Sequence, residues 1–213
     1  MTEQQPTDAT AGDPTDWTEL QSRAAALLTA TLSAVGDWSA PTPCTEWDAR
    51  ALLHHVVEEQ MWVPGLLAGG DVDEVAEDLE RPLARLAEEE GPGLAAQWRS
   101  MVDPVAAAWR GTDPDATVHL SYGPARVRHY LAQQTFDTAV HAWDLGASQG
   151  VDVPWDDELA VAVRDFVRRD LTADPATGLF DAAVPGYDSP DADPRDSALA
   201  ATGRDPRWTP PTA

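Results

Sequence analysis

Residues 136–145, FDTAVHAWDL, carry an aspartate and a histidine four positions apart in a stretch otherwise rich in apolar side chains. We expect a helix over residues 127–148, which Gly150 ends as a C-terminal cap. With about 100° of rotation per residue, Asp137 and His141 lie about 40° apart on one face of that helix. Such a pair either belongs to a solvated face or points inward at a site that needs a carboxylate and an imidazole. The spacing leaves both interpretations open.

An earlier segment supplies further imidazoles. Thr45 followed by Asp48 resembles a capping box and predicts the start of a helix. Apolar residues at helical spacing continue it until Pro64 and the Gly69-Gly70 pair disturb it. This second helix carries two adjacent histidines, and its rotation separates them.

Helical rotation assigns the two histidines of the second helix to different faces. His54 points the same way as Arg50 and Glu58, which predicts a polar, wet environment. His55 lies about 100° further round, beside Glu59 and nearer the apolar side. A histidine in that position is commonly a hydrogen-bonded core residue. It is equally placed to meet the polar pair of the later helix.

Composition restricts the function classes. The 213-residue chain has 14 basic residues, all of them arginine, against 37 acidic ones, and its net charge is -23. A surface this acidic argues against nucleic-acid binding, which needs basic side chains. No apolar run is long enough to span a bilayer, so we expect no membrane partner. A single cysteine and no signal-peptide pattern predict a cytoplasmic protein.

The remaining segments predict one mainly helical domain. We expect a disordered acidic tail over 1–13, a single helical-bundle metal-binding domain over 14–205, and a C-terminal tail over 206–213. Outside the two segments above, the pattern predicts long helices, a hairpin in ATVHLSYGPARV (116–127) with a Gly-Pro turn, an irregular acidic stretch, a loop and a last short helix. The expected long helices span 16–35, 93–110 and 156–171. The irregular acidic stretch spans 70–92 and includes a short helix at 81–90. The loop spans 172–194, and the last short helix spans 195–203.

Two imidazoles and one carboxylate form a donor set suited to Zn²⁺, Fe²⁺ or Ni²⁺, with open positions left for water or substrate. The four-residue spacing of Asp137 and His141 would supply two ligands from one helix. A partner helix would have to supply the third, as in helical-bundle metal sites. The residues permit such a site without requiring it.

Three segments carry a resemblance to a known family: PTPCTEWDARALLHHV (41–56), FDTAVHAWDLGASQG (136–150) and DSALAATGRDPRW (196–208). They resemble the N-terminal domain family of mycothiol-dependent maleylpyruvate isomerase. More closely, they are similar to the single-domain metal-binding relatives in the wider DinB/YfiT-like superfamily. The likeness covers most of residues 17–208 and is weak across 70–115. It implies a mainly α fold, a DinB-like four-helix bundle with a small β-hairpin and extra C-terminal helices.

The resemblance also implies a ligand set. In that family a histidine of the second helix and an acidic residue and histidine four apart on a later helix hold the metal. These positions are His55, Asp137 and His141 in this sequence. The isomerase has a glutamate where this chain has Asp137, whereas the single-domain relatives commonly have aspartate.

Several other residues are candidates for roles near this site. Glu59, one turn after His55, is a candidate to orient His55 as a hydrogen-bond acceptor or to act as a general base, although a solvent-facing role is commoner. Trp62 is a candidate wall of a binding pocket. We expect structural or exposed positions for His119, His129 and Cys44, and core positions for the tryptophans 47 and 143.

The resemblance implies mycothiol, a small thiol of high-GC bacteria, and the absence of lysine, isoleucine and asparagine fits a high-GC source. We therefore expect a divalent-metal-binding protein, with zinc as the first candidate. It would act as a mycothiol-dependent transferase or isomerase on a small electrophile through a metal-activated thiol. Its partners would be a small-molecule thiol and an electrophilic substrate, and the chain a monomer or homodimer. The alternatives are a metal-dependent hydrolase that uses metal-bound water and a non-catalytic metal-binding stress-response module.

Overall fold

The computed structural model describes residues 15–171 and 182–211 of the chain. The tail predicted over 1–13 lies outside the described residues, as do positions 172–181 of the predicted loop and 212–213 of the predicted C-terminal tail. The described chain folds into the elements α1 (Trp17–Thr31), α2 (Ala49–Leu67), α3 (Val72–Ala87), α4 (Gly91–Gly111), β1 (Thr117–Leu120), β2 (Gly123–Arg126), α5 (Val127–Ser148), α6 (Asp157–Phe166) and α7 (Pro194–Ala201).

Helices α1, α2, α4 and α5 pack together as a four-helix bundle. Helix α3 lies against α2, and α6 and α7 pack on each other, with α6 also contacting α1 and α5. The two strands form an antiparallel hairpin that contacts α2 and α5. This is the predicted mainly α fold with a small hairpin and extra C-terminal helices. In the part of the chain that the structure describes, no helix has both the length and the apolarity of a membrane span.

Helix α5 is the central helix of the bundle. Of its 22 residues, 17 are buried, because neighbouring elements cover it on several sides. Its bounds are those expected from the sequence, and Gly150 follows its end with a φ of 68°, a left-handed conformation that favours glycine. Polar side chains on this helix therefore lie inside the protein.

The segment predicted as irregular is a long helix, so the expectation for residues 70–92 was wrong. Helix α3 begins with a full capping box, in which Asp71 accepts from the backbone N–H of Glu74 and Glu74 accepts from that of Asp71. Its acidic side chains face solvent, while Val75 and Leu86 are buried. Only a narrow apolar stripe shows the helical periodicity of α3, and the many acidic residues around it make that periodicity hard to recognise in the sequence.

Two local expectations also need correction. The N-cap of α2 is Asp48, whose side chain accepts from the N–H of Ala51 at 2.8 Å, so the cap is not Thr45; the helix also continues past Pro64 to Leu67. In the hairpin, the turn is at residues 121–122. The expected turn residue Pro124 lies instead in β2, opposite His119. A polar residue in the sequence therefore locates the start of a helix, and a Gly-Pro pair the position of a turn, only to within two or three residues.

Gly146 lets α5 approach its neighbours closely. A Cβ added there would stand 2.2 Å from Cγ2 of Val153 and 3.0 Å from the carbonyl oxygen of Val151. At Gly111, which also lies in the last turn of its helix, an added Cβ would meet no atom within 4 Å.

We therefore expect Gly146→Ala to lower the free energy of unfolding by about 1–3 kcal/mol, because overpacking forces side chains and backbone apart. Gly111→Ala should be neutral or stabilising by up to about 1 kcal/mol, because it reduces the entropy of the unfolded chain. Urea titration of both variants measures the difference. Equal stability of the two would contradict the close approach at α5.

Candidate metal centre

His55 of α2 and Asp137 and His141 of α5 come together inside the bundle. Oδ1 of Asp137 lies 3.5 Å from Nε2 of His55 and 3.3 Å from Nε2 of His141. One donor atom from each of the three residues lies within 4.8 Å of the other two. Among residues 15–171 and 182–211, no other group of three or more histidine, cysteine, aspartate or glutamate side chains meets that condition.

The cluster runs from the core towards solvent. The side chain of His141 is 6% exposed, whereas those of Asp137 and His55 are 22% and 28% exposed. The face of α5 that carries Asp137 and His141 is therefore an inward face, and the solvated-face interpretation of that stripe is wrong. His54 lies outside the cluster, with Nδ1 at 3.6 Å from a carboxylate oxygen of Glu58.

Charges in the cluster depend strongly on one another. Burial alone would raise the pKa of Asp137, but the adjacent imidazoles of His141 and His55 outweigh it and hold that pKa far below its usual range. Burial likewise disfavours the charged form of His141, yet the carboxylates of Asp137 and Asp144 raise its pKa to about 9. The charged form of the His141 imidazole is therefore favoured by the carboxylates beside it.

Behind the cluster, Asp144 and Arg204 fix the orientation of His141. Nδ1 of His141 lies 3.0 Å from a carboxylate oxygen of Asp144, and Arg204 donates to that same oxygen at 3.2 Å. With Nδ1 engaged as the donor, Nε2 of His141 faces Asp137. Sequence reasoning missed both residues. The available signals were an aspartate three positions after His141 and the position of Arg204 in the motif at 196–208.

Trp47 covers the two histidines of the cluster. Its ring centroid lies 4.6 Å from that of His55 and 5.7 Å from that of His141. The turn before α2 positions this ring, because Thr42 donates through its hydroxyl to the carbonyl oxygen of Trp47 at 2.8 Å. Trp47 was expected to be a core anchor, and it is half-buried against the cluster instead.

A cavity of about 520 Å³ opens beside the cluster. His55 and Asp137 lie in its wall, so the cluster is reached from this cavity. Trp62, the candidate pocket wall, also lines it. The other lining residues come from α2, α3, the hairpin and α5: Glu58, Glu59, Leu66, Val72, Leu120, Ser121, Tyr122, Tyr130, Gln133, Gln134 and Phe136.

Glu59 lies in this cavity wall within a chain of side-chain amides. Gln60 donates to the amide oxygen of Gln134, and Gln134 donates to a carboxylate oxygen of Glu59 at 3.4 Å. Burial and the nearby Asp137 carboxylate raise the pKa of Glu59. Glu59 therefore lies in the cavity wall, whereas the commoner expectation for such a residue is a position facing bulk solvent. A carboxylate in a cavity wall is suitably placed to accept a proton from a bound molecule.

The other candidates are not members of the donor cluster. His119 is exposed on β1, and the ring centroid of His129 lies 5.8 Å from that of Phe166. Cys44 is half-buried in the turn before α2. Trp143 is buried in the core, as expected.

Comparison with known sequences decides the family. Residues 8–146, well over half of the chain, match the family described as the mycothiol maleylpyruvate isomerase N-terminal domain. The chain belongs to this family. The match ends within α5 and contains all three residues of the cluster.

Two curated relatives and two solved structures are similar to this member of the isomerase N-terminal domain family. An uncharacterized protein found in two strains of Mycobacterium tuberculosis is 33% identical over 122 residues, which are 57% of this chain. The match spans 59% of the length of those relatives. Crystal structures of the mycothiol-dependent maleylpyruvate isomerase and of a histidine-to-alanine mutant superpose with TM-scores of 0.54 and 0.55, at 17% and 18% identity. Each superposition covers 70% of this chain and 67% of the isomerase chain. This shared fold confirms the DinB-like bundle.

We expect Asp144→Ala to lower the free energy of unfolding by about 3–5 kcal/mol, because it leaves Arg204 and His141 buried without their shared carboxylate. Asp152 is a matched control, since its ion pair with Arg195 is at the surface and its side chain is 76% exposed. Asp152→Ala should cost about 0–1 kcal/mol. Chemical denaturation of the two metal-depleted variants provides the measurement, and similar losses would argue against a structural role for the buried carboxylate.

Proposed function

We propose that this protein binds one divalent metal ion through His55, Asp137 and His141 and uses it, with mycothiol, in a transferase or isomerase reaction on a small electrophile. The observation that carries the proposal is the convergence of the three donors at the wall of a cavity. Membership of the isomerase N-terminal domain family supports the choice of thiol. The single cysteine is compatible with a site of action in the reducing cytoplasm.

The donor geometry fits a small divalent ion. Ligands held about 2.0–2.2 Å from a tetrahedral zinc ion stand roughly 3.3 Å from one another. The separations of 3.3 Å and 3.5 Å from Oδ1 of Asp137 to the two imidazole nitrogens are close to that value. The second oxygen of Asp137 is buried and has no hydrogen-bond partner among the described residues. A metal ion coordinated by this carboxylate would provide that partner. Zinc is the first candidate for this donor set, with nickel or iron as alternatives.

The cavity supports a thiol co-substrate. Three protein ligands leave a coordination position open, and a bound divalent ion there would lower the pKa of a thiol or water. The protein would contribute the remaining recognition. Trp62 and Tyr122 line the cavity and suit contact with a sugar-like moiety, and the amide of Gln133 suits hydrogen bonding to its hydroxyl groups.

The first test is metal content. We expect His55→Ala to lose most of the metal of protein purified without chelators, because two remaining ligands hold an ion poorly. His54→Ala is the matched control: it removes the adjacent imidazole, which lies outside the cluster, and should retain nearly all of the metal. Elemental analysis by mass spectrometry reports both. Equal metal loss in the two variants would refute the ligand assignment.

The second test concerns the thiol. Mycothiol, or a thiol mimic, should bind the metal-loaded protein at least about tenfold more tightly than it binds His141→Ala, because thiolate is a better zinc ligand than water. Binding should also release a proton, since a coordinating thiol loses its own. Calorimetry in two buffers of different ionisation enthalpy measures both quantities.

Identical weak binding to both proteins would contradict the thiol reaction. In that case turnover of an ester or amide without thiol would support the metal-dependent hydrolase. Absence of turnover with and without thiol would support the non-catalytic module.

A further inference from the structure

The cavity beside the cluster has an acidic and aromatic wall. Glu58, Glu59 and Asp137 lie in it together with Trp62 and Tyr122. In the part of the chain that the structure describes, no arginine lines this cavity, and the sequence has no lysine. We infer that the second substrate of this site is an uncharged or cationic, largely apolar molecule, and that carboxylates are rejected. The inference rests on the proposed function, because it concerns the molecule that would meet the thiol.

Charge accounting supports this selectivity even with an ion in place. A divalent ion would bring two positive charges to the cluster, and Asp137 and Glu58 would already balance them. Glu59, when ionised, would make the cavity wall negative, and a bound thiolate would add a further negative charge. Arg204 does not change the balance, because it lies behind His141 and pairs with Asp144 at 3.2 Å.

The apolar surface of the cavity indicates the size and character of the molecule. Four apolar side chains line the space of about 520 Å³: Leu66, Val72, Leu120 and Phe136. Such a space is large enough for a small aromatic or aliphatic group beside a co-substrate. Tyr122 is 62% exposed on the hairpin turn, and Trp62 lies in the same wall. Aromatic faces beside carboxylates attract organic cations and tolerate neutral rings.

This preference distinguishes the protein from a maleylpyruvate isomerase. Maleylpyruvate is a dicarboxylate, and its binding within a low-dielectric cavity requires cationic partners for its two negative charges. The wall described here presents carboxylates to the molecule instead. A shared bundle is therefore combined with a different substrate class, as expected when specificity is determined by the cavity wall.

Three probes of similar size that differ in charge test the inference. 2-Phenylethylammonium, 2-phenylethanol and 3-phenylpropanoate are titrated into the metal-depleted and the metal-loaded protein, with binding followed by amide chemical shifts. The cation and the alcohol should each bind at least about tenfold more tightly than the carboxylate in the metal-depleted protein, and also in the metal-loaded protein once a thiol fills the open coordination position, as expected for charges facing a partly desolvated carboxylate wall. Raising the ionic strength should narrow the difference between cation and carboxylate.

Glu59→Gln should reduce the cation-to-carboxylate affinity ratio at least about threefold, because it removes one charge and keeps the side-chain shape. Glu80→Gln is the matched control, since Glu80 is exposed on α3 and does not line the cavity. It should leave the ratio unchanged. A carboxylate probe that binds as tightly as the cation in either form would overturn the inference, as would the absence of binding by all three probes. Because the metal-depleted protein gives a ranking of its own, failure of metal or thiol binding is distinguishable from failure of this selectivity.

Discussion

The contact on which the site depends is the buried hydrogen bond between His141 and Asp144, which Arg204 completes. A carboxylate as fully buried as that of Asp144 is stable only with charged partners, and both of its partners are provided within the fold. One partner lies on the same helix, and the other arrives from the segment after α7. The C-terminal segment therefore sets the orientation of an imidazole in the centre of the bundle. That orientation in turn directs Nε2 at Asp137 and defines where the three donors meet.

The same contacts bring a carboxylate and an imidazole together on α5. The carboxylates of Asp137 and Asp144 raise the pKa of His141 to about 9, which favours its charged form. Opposite charges on Asp137 and His141 attract each other across the 3.3 Å between Oδ1 and Nε2. Under the proposed function, a divalent ion would replace the proton of this imidazole and take over the attraction.

The sequence alone was sufficient for a mainly helical bundle, because helical periodicity is local, whereas the DinB-like four-helix form and the inward direction of the cluster rested on the family resemblance. The separation of His54 from His55 follows directly from about 100° per residue, and the bounds of α5 follow from its apolar pattern and the Gly150 cap. Helix α3 was missed because its apolar stripe is narrow and seven of its 16 residues are charged. The role of Asp144, and the position of Trp47 over the histidine rings, were missed for another reason. Their roles depend on tertiary contacts with Arg204 and with the histidine rings, and no periodicity in the chain encodes those contacts.

Family membership and cavity chemistry constrain function at different levels. The cluster residues lie on α2 and α5, two helices at the centre of the bundle, so the shared fold can preserve them while the surrounding surface changes. The cavity wall includes two of these residues, His55 and Asp137, and adds further side chains from α2, the start of α3, the hairpin and α5. Its most exposed part is the hairpin turn with Ser121 and Tyr122, where substitutions perturb the core least. Glu58 and Glu59 precede Trp62 on a single helix, so two substitutions on one element would change the charge that a substrate meets without displacing His55. Under the proposed function, reaction chemistry and charge preference would be separable on α2, with His55 serving the metal ion and the two glutamates setting the charge of the cavity.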